Sequence, residues 1–123
     1  MFVVFNNERY CDLAIIFMIY VVDIDGTICY TDGSNYKESK PIKERIEILN
    51  KLFDDGNEVH YWTARGARSG KDYIEFTKAQ LEGWGVKATS IKVGKPHYDI
   101  WIDDKAINDK EYFWYGPKGL RTK

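Results

Sequence analysis

The chain has 123 residues, 44% of them apolar and 30% charged, which is the makeup of an ordered globular domain rather than a disordered segment. Lys and Arg number 18 against 19 Asp and Glu, a formal charge of -1, so no basic excess points to nucleic acid or to an anionic membrane surface. The length argues for one domain, and two cysteines, Cys11 and Cys29, are too few for a disulfide framework or a metal knuckle, which makes a reducing cytoplasm the expected setting.

Residues 1–17 read as an N-terminal extension, because Asn6-Asn7-Glu8-Arg9 interrupts two apolar pieces and a strand starting at Met18 needs nothing before it. Either Met18 is the natural start or the extension is loosely attached; an extra edge strand or a short helix is the competing reading. The apolar run over 13–22 is shorter than the roughly 20 residues that a membrane-spanning helix needs. The start has neither a basic region nor a small-residue cleavage site of the secretory kind.

Residues 18–123 are expected to form a single domain. Its first strand covers 19–24. Ile42, Ile46, Leu49 and Phe53 recur at helical spacing between Pro41 and Gly56, which punctuate a helix start and end. A second strand is predicted over 58–63, a second helix over about 69–84 with Ile74, Thr77, Leu81 and Trp84 on one face, and short strands over 90–93 and 98–102. A short helix from about 105 and an aromatic tail, Tyr112-Phe113-Trp114-Tyr115, complete the chain. Strands separated by helices imply right-handed crossovers. The expected fold is therefore α/β, a Rossmann-like three-layer α/β/α sandwich around a mainly parallel sheet.

In such sheets ligands bind beyond the carboxyl ends of the strands, and polar residues stand at every one of these ends. The first strand ends in Asp23-Ile24-Asp25-Gly26-Thr27. Along a strand Asp23 and Asp25 would share a face while Ile24 turns to the core, and Gly26 allows a tight turn. Two carboxylates so placed can act as nucleophile and proton shuttle or hold a hard cation; Asp-Gly also occurs in plain turns. The second strand ends at Thr63, followed by Ala64, Arg65 and Gly66. The third leads to Gly94-Lys95, and the fourth to Asp103-Asp104. An acid pair, a hydroxyl, a lysine and a second acid pair suit phosphoryl transfer, in which charge on the outer oxygens must be neutralised. Read singly, Thr63 is an ordinary strand residue, Lys95 a solvated charge, and Asp103-Asp104 a helix cap ahead of Lys105.

With those four pieces in that order, the segment from Met18 to about Asn108 resembles the haloacid dehalogenase-like phosphohydrolases. The resemblance implies that Asp23 is the nucleophile and forms an aspartyl-phosphate. It makes Asp25 the group that protonates the leaving oxygen and then deprotonates water. Thr63 and the N–H of Ala64 would bind phosphate oxygens, and Lys95 would bridge phosphate and nucleophile. It also implies Mg²⁺, held by the Asp23 carboxylate, the Asp25 backbone carbonyl and Asp103, with Asp104 in support. The residue types fit these roles, but types alone do not distinguish Asp23 from Asp25.

Members of that family commonly carry a cap domain. Here only residues 29–40 fill the first insertion point, enough for a flap, and Val93 leads almost directly to Lys95, so the chain looks capless. Neighbouring subunits of a homo-oligomer, or the substrate itself, would then have to cover the site. Asp32-Gly33-Ser34-Asn35-Tyr36 is the flap tip, in reach of a leaving group or simply a polar turn. Arg65 and Arg68, with Ser69, are candidates for recognising an anionic or hydroxyl-rich substrate, against the alternative of surface charge. His97 and Tyr98 read as structural. The Trp-Thr-Ala-Arg-Gly and Gly-Lys-Pro-His-Tyr-Asp phrases are similar to small haloacid dehalogenase-like proteins associated with capsule or surface-polysaccharide synthesis, which implies a phosphorylated sugar or polyol as substrate.

A receiver domain is disfavoured because its acid pair ends the first strand and its phosphorylated Asp comes later. A P-loop reading of 66–71 fails because too few residues separate the glycines and Asp72 stands where Ser or Thr is required. A nucleic-acid 3′-phosphatase, and a non-catalytic binding protein with the same fold and the aromatic tail as partner surface, remain as alternatives.

Overall fold

The structure, a computed structural model, describes residues 6–7, 10–11 and 17–115. Of the extension expected over 1–17, only the short paired stretches Asn6–Asn7 and Tyr10–Cys11, and Phe17, lie within the described residues.

The apolar run after Met18 forms β1 (Ile19–Val22). A hairpin follows, β2 (Cys29–Tyr30) antiparallel to β3 (Lys40–Pro41), with a 3₁₀ turn at Tyr36–Glu38 between them. This is the flap, and nothing larger is inserted there. Then come α1 (Lys43–Asp54), β4 (Glu58–Trp62), α2 (Ile74–Gly83), β5 (Ser90–Lys92) and α3 (Asp109–Tyr115). β1, β4 and β5 make a parallel sheet in that order, with Val22 opposite Tyr61 and Tyr61 opposite Ile91. Parallel neighbours need crossovers, and α1 and α2 are those crossovers.

The helical spacing in the sequence finds its physical cause in the core. Ile46, Leu49 and Leu52 turn inward from α1 onto Val22, Val59 and Tyr61 of the sheet, while Leu81 of α2 and Phe113 of α3 close the same cluster. Full burial of a leucine such as Leu49 or Leu81 is worth about 2 kcal/mol. Alternation along β1 sends Val22 into this core and Ile19 and Val21 to the opposite face, where they are 68% and 65% exposed. Among the described residues the molecule is thus a parallel sheet with its core on one face.

Three elements depart from the sequence expectation. α2 begins at Ile74 rather than near 69, because Gly66 and Gly70 adopt positive φ (87° and 80°) and Asp72 accepts the Ile74 N–H at 3.0 Å, which makes residues 66–73 a looped turn. The last helix begins at Asp109 rather than 105, where Asn108 caps it by accepting the Lys110 N–H at 3.0 Å, and it absorbs the aromatic tail, with Phe113 buried. Residues 98–102 form no strand. Ile100 and Ile102 are exposed, no ladder joins them to β1, and among the described residues β1 is an edge of the sheet.

Candidate active site

β1, β4 and β5 run parallel, so their carboxyl ends open on one edge of the sheet. Asp23 is the first residue past β1, Thr63 the first past β4, and Lys95 follows β5 by three residues. The Lys95 loop extends the β4 edge: the Thr63 N–H donates to the Lys92 carbonyl at 3.0 Å and the Lys95 N–H to the Thr63 carbonyl at 3.2 Å. Gly94, at φ 93°, supplies the turn between them. The Lys95 side chain is thereby buried and lies across to Asp23, with Nζ 3.1 Å from Oδ1.

Local chemistry holds the Asp23–Thr27 loop. Gly26 takes φ 85° and its N–H donates to the Cys29 carbonyl at 2.9 Å, while Ile24, fully buried, accepts the N–H groups of Thr27 and Ile28. β1 ends at Val22, so the two carboxylates are not carried on a regular strand, and each meets its own cation. Asp23 faces Lys95, receives the Thr27 hydroxyl at 3.4 Å, and keeps 35% of its side chain exposed. Asp25 turns to Arg65, whose Nε and Nη2 donate to its two oxygens, each at 2.9 Å. The Thr31 hydroxyl adds a 2.6 Å bond to Oδ1, and Thr31 in turn shares a 2.6 Å bond with Ser39 across the flap. Burial alone would raise the Asp25 carboxyl; the Arg65 and Thr31 hydrogen bonds and the guanidinium charge outweigh it and hold the group below the ordinary carboxylate value. Nearby, burial is the first cause that pushes the Cys29 thiol upward, so this buried cysteine is no ready nucleophile.

Thr63 is buried, and its Oγ1 accepts the Arg65 N–H at 3.1 Å, a bond that does not use the hydroxyl proton. Ala64 follows at the mouth of β4, where its carbonyl accepts the Ala67 N–H. Arg68 lies exposed on the turn. Arg65, expected to meet substrate, is instead 0% exposed and bound to Asp25 and to Thr77 of α2. A guanidinium bonded in this way inside the protein is a structural group, not an outward-facing one.

Asp103 and Asp104 are not brought to Asp23. Both are exposed, and Asp103 accepts the Lys105 N–H at 3.2 Å, a cap-like bond with no helix behind it. Among the described residues no three His, Cys, Asp or Glu side chains converge closely enough to hold a metal ion. The donor chemistry of Asp23 suits Mg²⁺, but in this arrangement Asp103 does not complete the set.

Sequence reasoning did not single out Thr31, Ser39 or Arg45, and placed Thr77 only on the packing face of the second helix. Arg45 on α1 donates to the Thr27 carbonyl at 2.9 Å and to Asp109 at 2.7 Å, which ties α3 to the Asp23–Thr27 loop. Nothing local marks these residues, because each finds its partner across a turn, a loop or a whole element. Tyr98 and Trp101, read as structural or as strand, place their rings 5.1 and 5.6 Å from Lys95 Nζ while staying partly exposed.

No family model and no curated protein matches the chain. Among solved structures it is similar to an MCSG target from Vibrio cholerae, known from a crystal structure, at 28% identity over 78% of this chain and 87% of that one, with a TM-score of 0.70. The two share an α/β fold over most of their length.

Proposed function

We propose that the protein is a phosphomonoester hydrolase of the haloacid dehalogenase-like kind, acting through an aspartyl-phosphate on a small phosphorylated sugar or polyol. One observation carries the reading: Asp23, Thr63 and Lys95, which belong to three separate segments, meet at one sheet edge with Lys95 tied to both of the others. Asp23 faces Lys95 and keeps 35% of its side chain exposed, so its carboxylate is open to attack phosphorus. As the Asp23 O–P bond forms, the ester O–P bond breaks, and Thr63 and Lys95 are suited to meet the charge on the outer oxygens. The leaving oxygen takes a proton from Asp25. Water then attacks phosphorus and gives its proton to Asp25, which releases Asp23 and inorganic phosphate. Because Arg65 favours the charged form of Asp25, the second, base-assisted half is the easier one near neutral pH.

Mg²⁺ belongs to this reading as a proposed cofactor that would neutralise phosphoryl charge beside Asp23. Asp103 would have to approach for its carboxylate to serve, and among the described residues β1 pairs on one side only, with β4, so its other edge could take a fourth strand. The three-layer sandwich is part of the same proposal and requires a covering over Ile19 and Val21. The partly exposed rings of Tyr98 and Trp101 beside Lys95 offer a stacking surface for a sugar ring. A nucleobase stacks there equally well, which favours the 3′-phosphatase as the second reading.

Purified protein with Mg²⁺ is to be screened against sugar phosphates, nucleotides and a 3′-phosphorylated oligonucleotide, with Asp23→Asn alongside. Turnover of a sugar phosphate that falls on the order of 10³-fold or more in Asp23→Asn is the expected result. Equal rates in both proteins would sink the mechanism, and turnover of the oligonucleotide alone would select the second reading.

A further inference from the structure

Arg65 stands between three parts of the molecule. Its Nε and Nη2 grip Asp25, its Nη1 donates to Thr77 of α2 at 3.3 Å, and its guanidinium carbon lies 4.6 Å from the ring centre of Tyr36 in the flap. Tyr36 is held in turn. Its carbonyl accepts the Gln80 side-chain amide at 2.7 Å, and its ring meets Tyr73 edge-on at 5.0 Å. The flap thus reaches the Asp25 carboxylate by two routes, directly through Thr31 and indirectly through Tyr36 and Arg65.

The two carboxylate oxygens are not equivalent in this setting. Oδ1 accepts from Thr31 and from Arg65 Nη2, with a longer 3.6 Å contact from the Cys29 thiol. Among the described residues Oδ2 accepts only from Arg65 Nε, and a carboxylate oxygen has two lone pairs. A paired guanidinium fork fixes the plane of the carboxylate, so the direction of the remaining Oδ2 lone pair is set by where Arg65 sits.

We propose that Arg65 is a positioning residue through which the seat of the Cys29–Pro41 flap, by way of Tyr36, aims the Asp25 carboxylate, with Oδ2 as the oxygen that passes the proton. The inference rests on the reading of Asp25 as proton shuttle given above. It assigns the flap a role in catalysis that needs no contact with substrate: a flap that lifts takes Tyr36 off Arg65 and Thr31 off Asp25 together. It also assigns Arg65 a role distinct from substrate recognition.

The test compares Tyr36→Leu, which keeps apolar bulk but removes the ring face, and Arg65→Lys, which keeps charge but loses the fork, with the wild type. Each is assayed on an alkyl phosphate and on p-nitrophenyl phosphate. Departure of an alkyl oxygen depends on proton donation and departure of p-nitrophenolate hardly does, and a general acid contributes roughly 10²–10⁴-fold. The expected result is a kcat loss at least about tenfold greater on the alkyl ester, with KM changed by less than about threefold. Equal losses on both esters would overturn the proposal, as would a KM rise of about tenfold with kcat intact, which would mark direct substrate contact.

If the wild type turns over neither these esters nor any substrate of the screen above, the phosphatase reading fails, and the Tyr36–Arg65–Asp25 linkage is judged by folding alone. Tyr36→Leu, Asp25→Asn and the double variant are then unfolded in urea. Non-additivity of about fivefold or more in the unfolding constant supports a linkage through Arg65, and additivity within about twofold refutes it.

Discussion

Asp23 and Asp25 carry the same side chain two positions apart, and their surroundings make them chemically different. Lys95 lies beside the partly exposed Asp23, whereas Asp25 keeps 26% of its side chain exposed and is gripped by Arg65 and Thr31. A pKa shift of this kind is also a stability statement. Because the folded-state pKa of Asp25 is lowered, its contribution to stability is fully present above the unfolded carboxylate's ordinary 3.8 and is lost as pH falls through the folded value. Asp25→Asn cannot titrate. The difference in melting temperature between wild type and Asp25→Asn should therefore narrow as pH drops from about 6 to about 2. A gap that widens on acidification would mean that Asp25 is held neutral rather than charged.

At the scale of elements, the loops after the strands decide the site, and their glycines decide the loops. Residues 66–73 illustrate this. Gly66 sits at φ 87°, accepts the Gly70 N–H at 2.8 Å, and leaves no room for a side chain, since a Cβ there would lie 2.0 Å from the Lys71 carbonyl oxygen. Gly66→Ala should destabilise the protein by about 2 kcal/mol or more in urea unfolding. A cost below about 0.5 kcal/mol would show that the loop rearranges freely. The same loop explains the late start of α2, because periodicity over 74–84 is visible in sequence while the turn before it depends on backbone torsions that only Gly66 and Gly70 adopt at low cost. Element types were thus legible where apolar residues repeat, and element boundaries were not where a cap or a positive-φ glycine intervened.

The whole molecule is a parallel α/β fold, shared over most of its length with the Vibrio cholerae protein. No helix among the described residues is long and apolar enough to cross a membrane. Its sheet leaves Ile19 and Val21 exposed on one face, which separates the two-layer arrangement described from the three-layer one proposed. Val21→Thr distinguishes them. On an open face it should change stability by less than about 0.5 kcal/mol, since exposed substitutions are near neutral. A loss above about 1.5 kcal/mol would mean that a further layer buries Val21. The same logic bears on Asp103. Residues 98–102 have the apolar and aromatic makeup of a strand, yet a strand exists only when an edge accepts it, and no spacing rule states which edge that is.

What the chain determines alone is local: the apolar runs that become β1 and β4, the helical repeats of α1 and α2, the Asp-x-Asp-Gly-Thr turn, and the placement of Thr63 and Lys95 just past strand ends. These follow from side-chain periodicity and torsional preference within a few residues. Pairing was decided only in three dimensions. Asp25 with Arg65, 40 positions away, Arg45 with Asp109, 64 away, and Gln80 with the Tyr36 carbonyl, 44 away, depend on how strands order themselves and how close the flap comes to α2. Each of these polar groups could have met solvent at little cost, so no local rule selects its partner. Burial of the surrounding core does, by bringing α2, the flap and the ends of β1 and β4 into contact and leaving Arg65 no other group to neutralise.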